Sequence, residues 1–572
     1  MKFSVWAPLA SKSVELVCAD QHCAMTRDAE GYWQIDCDPA RVAQGYRYSI
    51  DGGPPLPDPR SAWQPQGVHG PSFPVNESEL KAITRSEFRQ KPLSDAVIYE
   101  LHIGTFTPQG TYVSAAQKLP HLVRLGVTHV EVMPLATFPG NHGWGYDGVY
   151  LFAPQPSYGT PEELAHFVAA CHVHGLAVLL DVVYNHLGPD GNYLSQYAPY
   201  FTDRIKTGWG EAVNYDGAYS DGVRRFVIDN ARMWLDTYGF DGLRLDAVHA
   251  IYSFEAVHLL EELATEVQAW AAAADRSVVV IAESDLNDPR LVLPPAQGGY
   301  GLNAHWADDF HHALHHLMTG ESSGYYVDFH GLQDLAVCLR HGYVYQGQYS
   351  EHRKRRHGRA PKLVQPSQLV VSAQNHDQIG NRAHGERLSM LLTPVQLKAV
   401  AALTILSPFV PMLFQGEEWG AATPFLYFTD HQNEKLGQLV AEGRRQEFAS
   451  FGWRDEVPNP QSPATFAASV LNWDELAQSG HQELFEWYRR MIALRMSNTG
   501  PLPHPVNVRY DTADCWLSFA LGQLCVAVNF APRVVPYTPP EGSWRSLISS
   551  VQEVSTAQIL AAHETRIFIQ DL

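Results

Sequence analysis

The stretch GFDGLRLDAVHAI, Gly239 to Ile251, sets an arginine and an aspartate two positions apart in an otherwise apolar run. In a β-strand Arg244 and Asp246 share one face, while Leu243 and Leu245 share the other. Strands seldom give core-facing positions to charges, because a buried charge must be paired or neutralised. By itself the pair reads either as a structural ion pair or as half of an active site.

The same design recurs along the chain. From Ala96 onward, apolar strand-like runs alternate with amphipathic helical ones. Candidate strands are AVIYELHIGTF (96–106), VTHVEVMPL (127–135), LAVLLDVVYNH (176–186) and FDGLRLDAV (240–248). They continue with SVVVIAES (277–284), NAHWADDF (303–310), QLVVSAQNHD (368–377) and FVPMLFQGEEW (409–419). Between them lie stretches such as TPEELAHFVAACHVHG and DGVRRFVIDNARMWLDTYG. The second puts Val223, Phe226, Val227, Ala231, Trp234 and Leu235 on one helical face. Eight strands with intervening helices predict an α/β fold, a closed (β/α)8 TIM barrel. An open dinucleotide-binding sheet would carry G-x-G-x-x-G after its first strand, and HIGTFTPQGTY lacks it.

The barrel is expected to span 91–497, with inserted loops. Residues 1–90 show short alternating strands, FSVWA, SVELVC, GYWQID and YRYSID, followed by the Pro-rich DGGPPLPDPRSAWQPQG. They predict an N-terminal β-sandwich and a linker. ADCWLSFAL, QLCVAVNF and TRIFIQ predict a small C-terminal β-sandwich domain over 498–572. The basic run EHRKRRHGRAPK (351–362) reads as a solvated loop before a barrel strand.

Composition narrows the function. The 572 residues carry 41 Lys and Arg against 61 Asp and Glu, a net charge of −20, so nucleic acid and anionic membranes are disfavoured partners. The seven cysteines are scattered without a C-x-x-C pair, which suggests neither a disulfide framework nor a zinc site. No apolar run reaches 18 residues, and the N-terminus MKFSVWAPLASKSVELV lacks the long apolar centre of a signal peptide. A reducing cytoplasm is the expected location.

Each candidate strand loses its apolar character at its C-terminal end. Asp181 is followed by Asn185 and His186, Arg244 by Asp246; Glu283 closes VVVIAES, and His376 and Asp377 close VVSAQNHD. A parallel barrel gathers all such ends on one face, so these residues converge on one pocket. Singly, each has a plain structural reading: a helix cap, an ion pair, a buried histidine. Asp181 reads as a support residue, and Asp241, at the start of its strand, as a structural group on the opposite rim. Together they suit glycosidic bond cleavage, which uses one carboxyl group as proton donor and another as nucleophile or base. Arg244 would hold Asp246 ionised. The absence of a GxxxxGK[ST] loop argues against phosphoryl transfer. Trp and Tyr among the glycines of GNHGWGYDGVY could stack on sugar rings or simply pack.

At these residues the sequence resembles the α-amylase superfamily of glycoside hydrolases, whose four signature regions appear in order as DVVYNH (181–186), GLRLDAVH (242–249), IAES (281–284) and SAQNHD (372–377). The resemblance implies Asp246 as nucleophile, Glu283 as general acid/base and Asp377 as transition-state stabiliser. It implies substrate-binding roles for Tyr146, Asp147, His186, Arg244 and His376. His249, three residues beyond Asp246, is a further candidate on the leaving-group side. It also implies retention of configuration, with Asp246 and Glu283 carboxyls about 5–5.5 Å apart. No organic cofactor is expected and no metal site is implied, since LGPDGNYLSQYAPYFTDRIKTGWGEAVNYDG shows no recognisable oxygen cage.

Within the superfamily, AESDLNDPR, NHDQIGNRAHGERL and FQGEEWGAATPFLYFTDH look closest to the malto-oligosyltrehalose trehalohydrolases. That likeness implies an oligosaccharide substrate, maltooligosyl trehalose, cut at the α-1,4 bond next to its terminal trehalose. Branching enzymes usually have SHDEV where this chain has NHDQIGN. They form the alternative reading, and a catalytically inactive glucan-binding protein a third, disfavoured because all three acids are present.

Overall fold

A computed structural model of the chain describes residues 1–19, 21–450, 457–498, 506–551 and 558–571. Its centre is a closed parallel barrel of eight strands. They are β1 (Ile98–Leu101), β2 (His129–Val132), β3 (Ala177–Val182) and β4 (Gly242–Leu245), then β5 (Val279–Ala282), β6 (Ala304–Trp306), β7 (Leu369–Ser372) and β8 (Val410–Phe414). Neighbours pair in chain order, and β8 closes on β1 through Met412 to Phe414 against Ile98 to Glu100. All eight expected strands are present, but each is shorter than its apolar run. Asp181 and Arg244 are still within β3 and β4, but past β7 a helical turn begins at His376, and past β6 another helix begins at Asp308. The polar ends therefore form the loops of the C-terminal face.

Helices α1 (Pro161–Val173), α2 (Ser220–Asp236), α3 (Leu259–Ala273), α4 (Asp308–Thr319), α5 (Pro394–Ile405) and α6 (Ser479–Ser497) cover the outside. The start of α1 is fixed by a capping box, in which Thr160 Oγ accepts from the Glu163 amide while Glu163 accepts from the Thr160 amide. The apolar stripe of α2 is buried throughout, Val223 to Leu235, with Trp234 packed edge-on against Phe240. At the N-terminal rim Asp241 accepts from the Val178 amide and pairs with His172 Nε2, both at 2.9 Å. Arg495 of α6 donates to the carbonyls of Ile405, Ser407 and Phe409, tying the last helix to the entry of β8.

Two three-stranded antiparallel sheets form the N-terminal β-sandwich: Lys2–Trp6, Tyr32–Asp36 and Thr26–Arg27 in one, Gln21–Ala24, Val14–Cys18 and Arg47–Ile50 in the other. The Pro-rich segment after them is not a free linker. It bridges back to Tyr46 and Tyr48, and Arg60 pairs with Asp229 of α2 at 2.8 Å. At the other end a five-stranded antiparallel sheet packs over the short pair Val535–Pro536 and Ile559–Leu560, with Cys525, Tyr537 and Phe568 between.

Truncating the largest buried anchor of α2 should be costly. Trp234→Ala is expected to destabilise the protein by about 3–5 kcal/mol, read as a lower midpoint in urea unfolding.

Candidate active site

Arg244 is fully buried at the C-terminal end of β4. Its Nη1 donates to both carboxylate oxygens of Asp181, at 2.9 and 2.8 Å, and to Asp246 Oδ1 at 2.8 Å. Its Nη2 lies 3.7 Å from Glu283 Oε2, and its guanidinium stacks 4.1 Å over the Trp306 ring. One guanidinium thus stands between three carboxyl groups carried by β3, β4 and β5. This follows from the register, which sets Asp181 beside Arg244.

Asp246 is held from both sides. Asn185 Nδ2 donates to its Oδ2 at 2.7 Å and to its backbone carbonyl at 2.8 Å. Burial opposes its ionisation, yet Arg244, His186 and the Asn185 amide outweigh burial and keep its pKa below the ordinary carboxyl value. Glu283 has the opposite environment. Burial, with Asp246, Asp308 and Asp377 nearby, pushes its pKa well above the ordinary glutamate value against the pull of Arg244. Its Oε2 accepts from the Ala247 amide at 2.6 Å. Ala247, with φ 38°, is in the left-handed region that side chains with a Cβ seldom occupy. That turn aims the amide after Asp246 at the carboxyl of Glu283.

A second chain of bonds runs through β7. His376 donates through its backbone N–H and Nδ1 to the two oxygens of Glu100, at 3.0 and 2.5 Å. Burial disfavours the imidazolium, but Glu100 and Asp377 overcome it and raise the His376 pKa to about 9. Charged His376 donates through Nε2 to Tyr146 Oη at 2.7 Å, and Tyr146 donates on to Asp181 Oδ2 at 2.6 Å. Tyr146 also stacks on the His376 ring, centroids 5.2 Å apart. Burial pushes Asp181 up to about 6 despite Arg244, whose Nη1 it holds through both carboxylate oxygens.

The remaining candidates lie around this centre. Asp377, with 42% of its side chain exposed, faces the cleft 3.6 Å from His376 Nε2 and accepts from Asn381. His186 bonds Asn185 and is stacked by the exposed Trp209 at 4.9 Å. Asp147 is half-buried 3.8 Å from His431, and Gly188 packs against its backbone so closely that any Cβ there would sit 2.1 Å from the Asp147 carbonyl oxygen. His249 is exposed on a short turn on the side of Asp285.

Several members carried weaker sequence signals. Glu100 and Glu131 are lone acids inside the first two apolar runs, and Asp308 begins α4 with a pKa raised to about 7 by burial, Asp285 and Asp377. The basic run near 351–362 is not simply solvated. Gln346–Ser350 and Arg355–Gly358 form a hairpin whose turn residue Arg353 packs over Tyr345 and pairs with Asp285 at 2.8 Å. Among the described residues, no group of three His, Cys, Asp or Glu side chains is arranged to hold a metal ion, and no helix is long and apolar enough to cross a membrane.

The sequence is 48% identical over 545 residues to a malto-oligosyltrehalose trehalohydrolase of Arthrobacter ramosus, covering 93% of both chains. The chain belongs to the malto-oligosyltrehalose trehalohydrolase family. The alpha-amylase catalytic-domain profile matches residues 84–206, the span from the approach to β1 through the loop after β3. A 1,4-alpha-glucan branching enzyme of Geobacillus stearothermophilus is 28% identical over 73% of this chain and 67% of its own. Among solved structures, a putative alpha amylase from Salmonella typhimurium superposes with a TM-score of 0.91 at 35% identity, over 100% of this chain and 97% of that one.

Neutralising Glu100 should alter stability in a defined pH window. The raised pKa of His376 contributes stability that is complete below its ordinary value of 6.5 and lost as pH rises through about 9. Glu100→Gln is expected to flatten that decline, measured as urea unfolding free energy between those pH values.

Proposed function

We propose that the chain hydrolyses the α-1,4-glucosidic bond next to the terminal trehalose unit of maltooligosyl trehalose, with Asp246 and Glu283 as its reacting carboxyls. The observation that carries the chemistry is the contrast between two carboxyls beside one guanidinium. Asp246 is kept ionised, while Glu283 keeps its proton. That is the division of labour a retaining glycosidase needs. The specificity is that of the relatives' name, spread over 93% of the chain.

In the first step Asp246 attacks the anomeric carbon while Glu283 gives its proton to the glycosidic oxygen, and trehalose departs with that proton. Positive charge developing on the sugar is stabilised by Asp377 at the open side of the site. In the second step Glu283, now ionised, takes a proton from water, whose oxygen displaces Asp246 and releases the maltooligosaccharide. The Ala247 amide favours the ionised Glu283 that this half of the cycle requires. His186, Tyr146, Asp147 and His376 grip the sugar being cleaved. Exposed His249 is the further candidate on the leaving-group side, near Asp285 and the Arg353 that pairs with it. Domain boundaries near 90 and 497 separate the barrel from its sandwiches. Seven free cysteines support a reducing, cytoplasmic setting.

Branching is the rival reading, and products separate the two. Chromatography on maltooligosyl trehalose and amylose side by side should show trehalose from the first and little change in the second. Equal rates on plain maltooligosaccharide, or new α-1,6 linkages in amylose, would sink the assignment. Asp246→Asn should lower kcat/KM at least about a thousandfold with the fold intact. The alkaline limb of the pH profile should reflect loss of the Glu283 proton, and Glu283→Gln should remove it.

A further inference from the structure

Below the catalytic carboxyls, Glu131 points from β2 into the barrel and is 1% exposed. The register places it beside Glu100 of β1 and Leu179 of β3. Neither of its carboxyl oxygens has a hydrogen-bond partner among the described residues. In the same interior, Nε and Nη2 of Arg244 and Nε1 of Trp306 are also buried without hydrogen-bond partners. Two carboxyl oxygens and three donor nitrogens are thus enclosed in the barrel interior away from solvent. Leaving such groups unbonded is costly, and more so for charged ones. A buried water with two to four polar neighbours is the ordinary remedy.

The charged groups that act on Glu131 come from four other strands: Glu100 from β1, Asp181 from β3, Arg244 from β4 and His376 from the end of β7. Both cations are already answered, Arg244 by Asp181 and Asp246, His376 by Glu100. A further negative charge would find none free, and burial beside Glu100 pushes the Glu131 pKa well above the ordinary value.

We propose that Glu131 is a positioning residue for the hydrolytic reaction: a protonated carboxylic acid that, through buried water, hydrogen-bonds the free N–H groups of Arg244 and holds that arginine against Asp246. The inference rests on Asp246 being the nucleophile. An uncharged acid serves here because it both donates and accepts, so it orders the water without adding charge beneath Asp246. Loss of the bridge frees Arg244 to relax toward the barrel interior, weakens its bond to Asp246 and lets the Asp246 pKa rise.

Three measurements on the full-length enzyme test this. Glu131→Gln keeps a neutral donor and acceptor and should leave kcat/KM for maltooligosyl trehalose within about twofold, whereas Glu131→Met should lower it at least about tenfold, mainly through kcat. The methionine variant should also move the acidic limb of the pH profile toward neutrality, which a change of packing alone would not do. Infrared difference spectra should show a protonated buried carboxyl band in the wild type that is missing from Glu131→Gln. A wild-type rate and acidic limb in the methionine variant, equal damage from glutamine and methionine, or absence of the infrared band would each overturn the proposal. If the methionine variant does not fold, the infrared comparison decides. Full activity in Asp246→Asn would instead overturn the nucleophile assignment, a separate result.

Discussion

The whole site is organised by one buried cation. Arg244 has no access to bulk solvent, so its charge must be met inside the protein, and removing any partner would leave a charge stranded in a medium that solvates it poorly. Asp181, Asp246 and the more distant Glu283 meet it from three strands, and Trp306 covers its face. Those partners sit at matching heights because the barrel is closed and its register fixed. The cation thus makes barrel geometry and carboxyl placement one requirement.

Chemically identical groups acquire different tasks around that centre. The Asp246 carboxylate takes one direct bond from Arg244 and one from Asn185, while Glu283 lies farther from the arginine and nearer other acids. Burial opposes charge on both, but Arg244, His186 and Asn185 hold Asp246 ionised, while burial and the neighbouring acids keep the proton on Glu283. The chain from Glu100 through His376 and Tyr146 to Asp181 carries the same alternation of donor and acceptor around the rim. It anchors the tyrosine and histidine rings at the edge of the cleft.

Much of this was legible in the chain. Each of the eight strands appeared as an apolar run, and each catalytic candidate as a charge interrupting such a run at its C-terminal end. Glu131 and Glu100 gave the same signal inside VTHVEVMPL and AVIYELH, but a lone acid in an apolar run does not reveal whether it meets a cation, a water or another acid. Arg353 was obscured for a different reason. In a run of basic residues the pattern fits solvent exposure, and only the hairpin's packing shows one arginine turned inward onto Asp285. The Pro-rich segment after the N-terminal strands likewise has the composition of a linker, although its backbone bridges to the first sheets.

The sequence by itself determined the alternation of strands and helices, the helix start at Thr160 and the acidic residues at the strand ends. These depend on neighbours within a few positions, which local sterics, capping and apolar periodicity record directly. Only the tertiary structure decided which carboxyl keeps its proton, which histidine becomes charged and which of several acids Arg244 holds. Those outcomes depend on burial and on distances between residues up to 276 positions apart, as between His376 and Glu100. No local pattern carries them, because electrostatic energy in a buried site depends on separation in space.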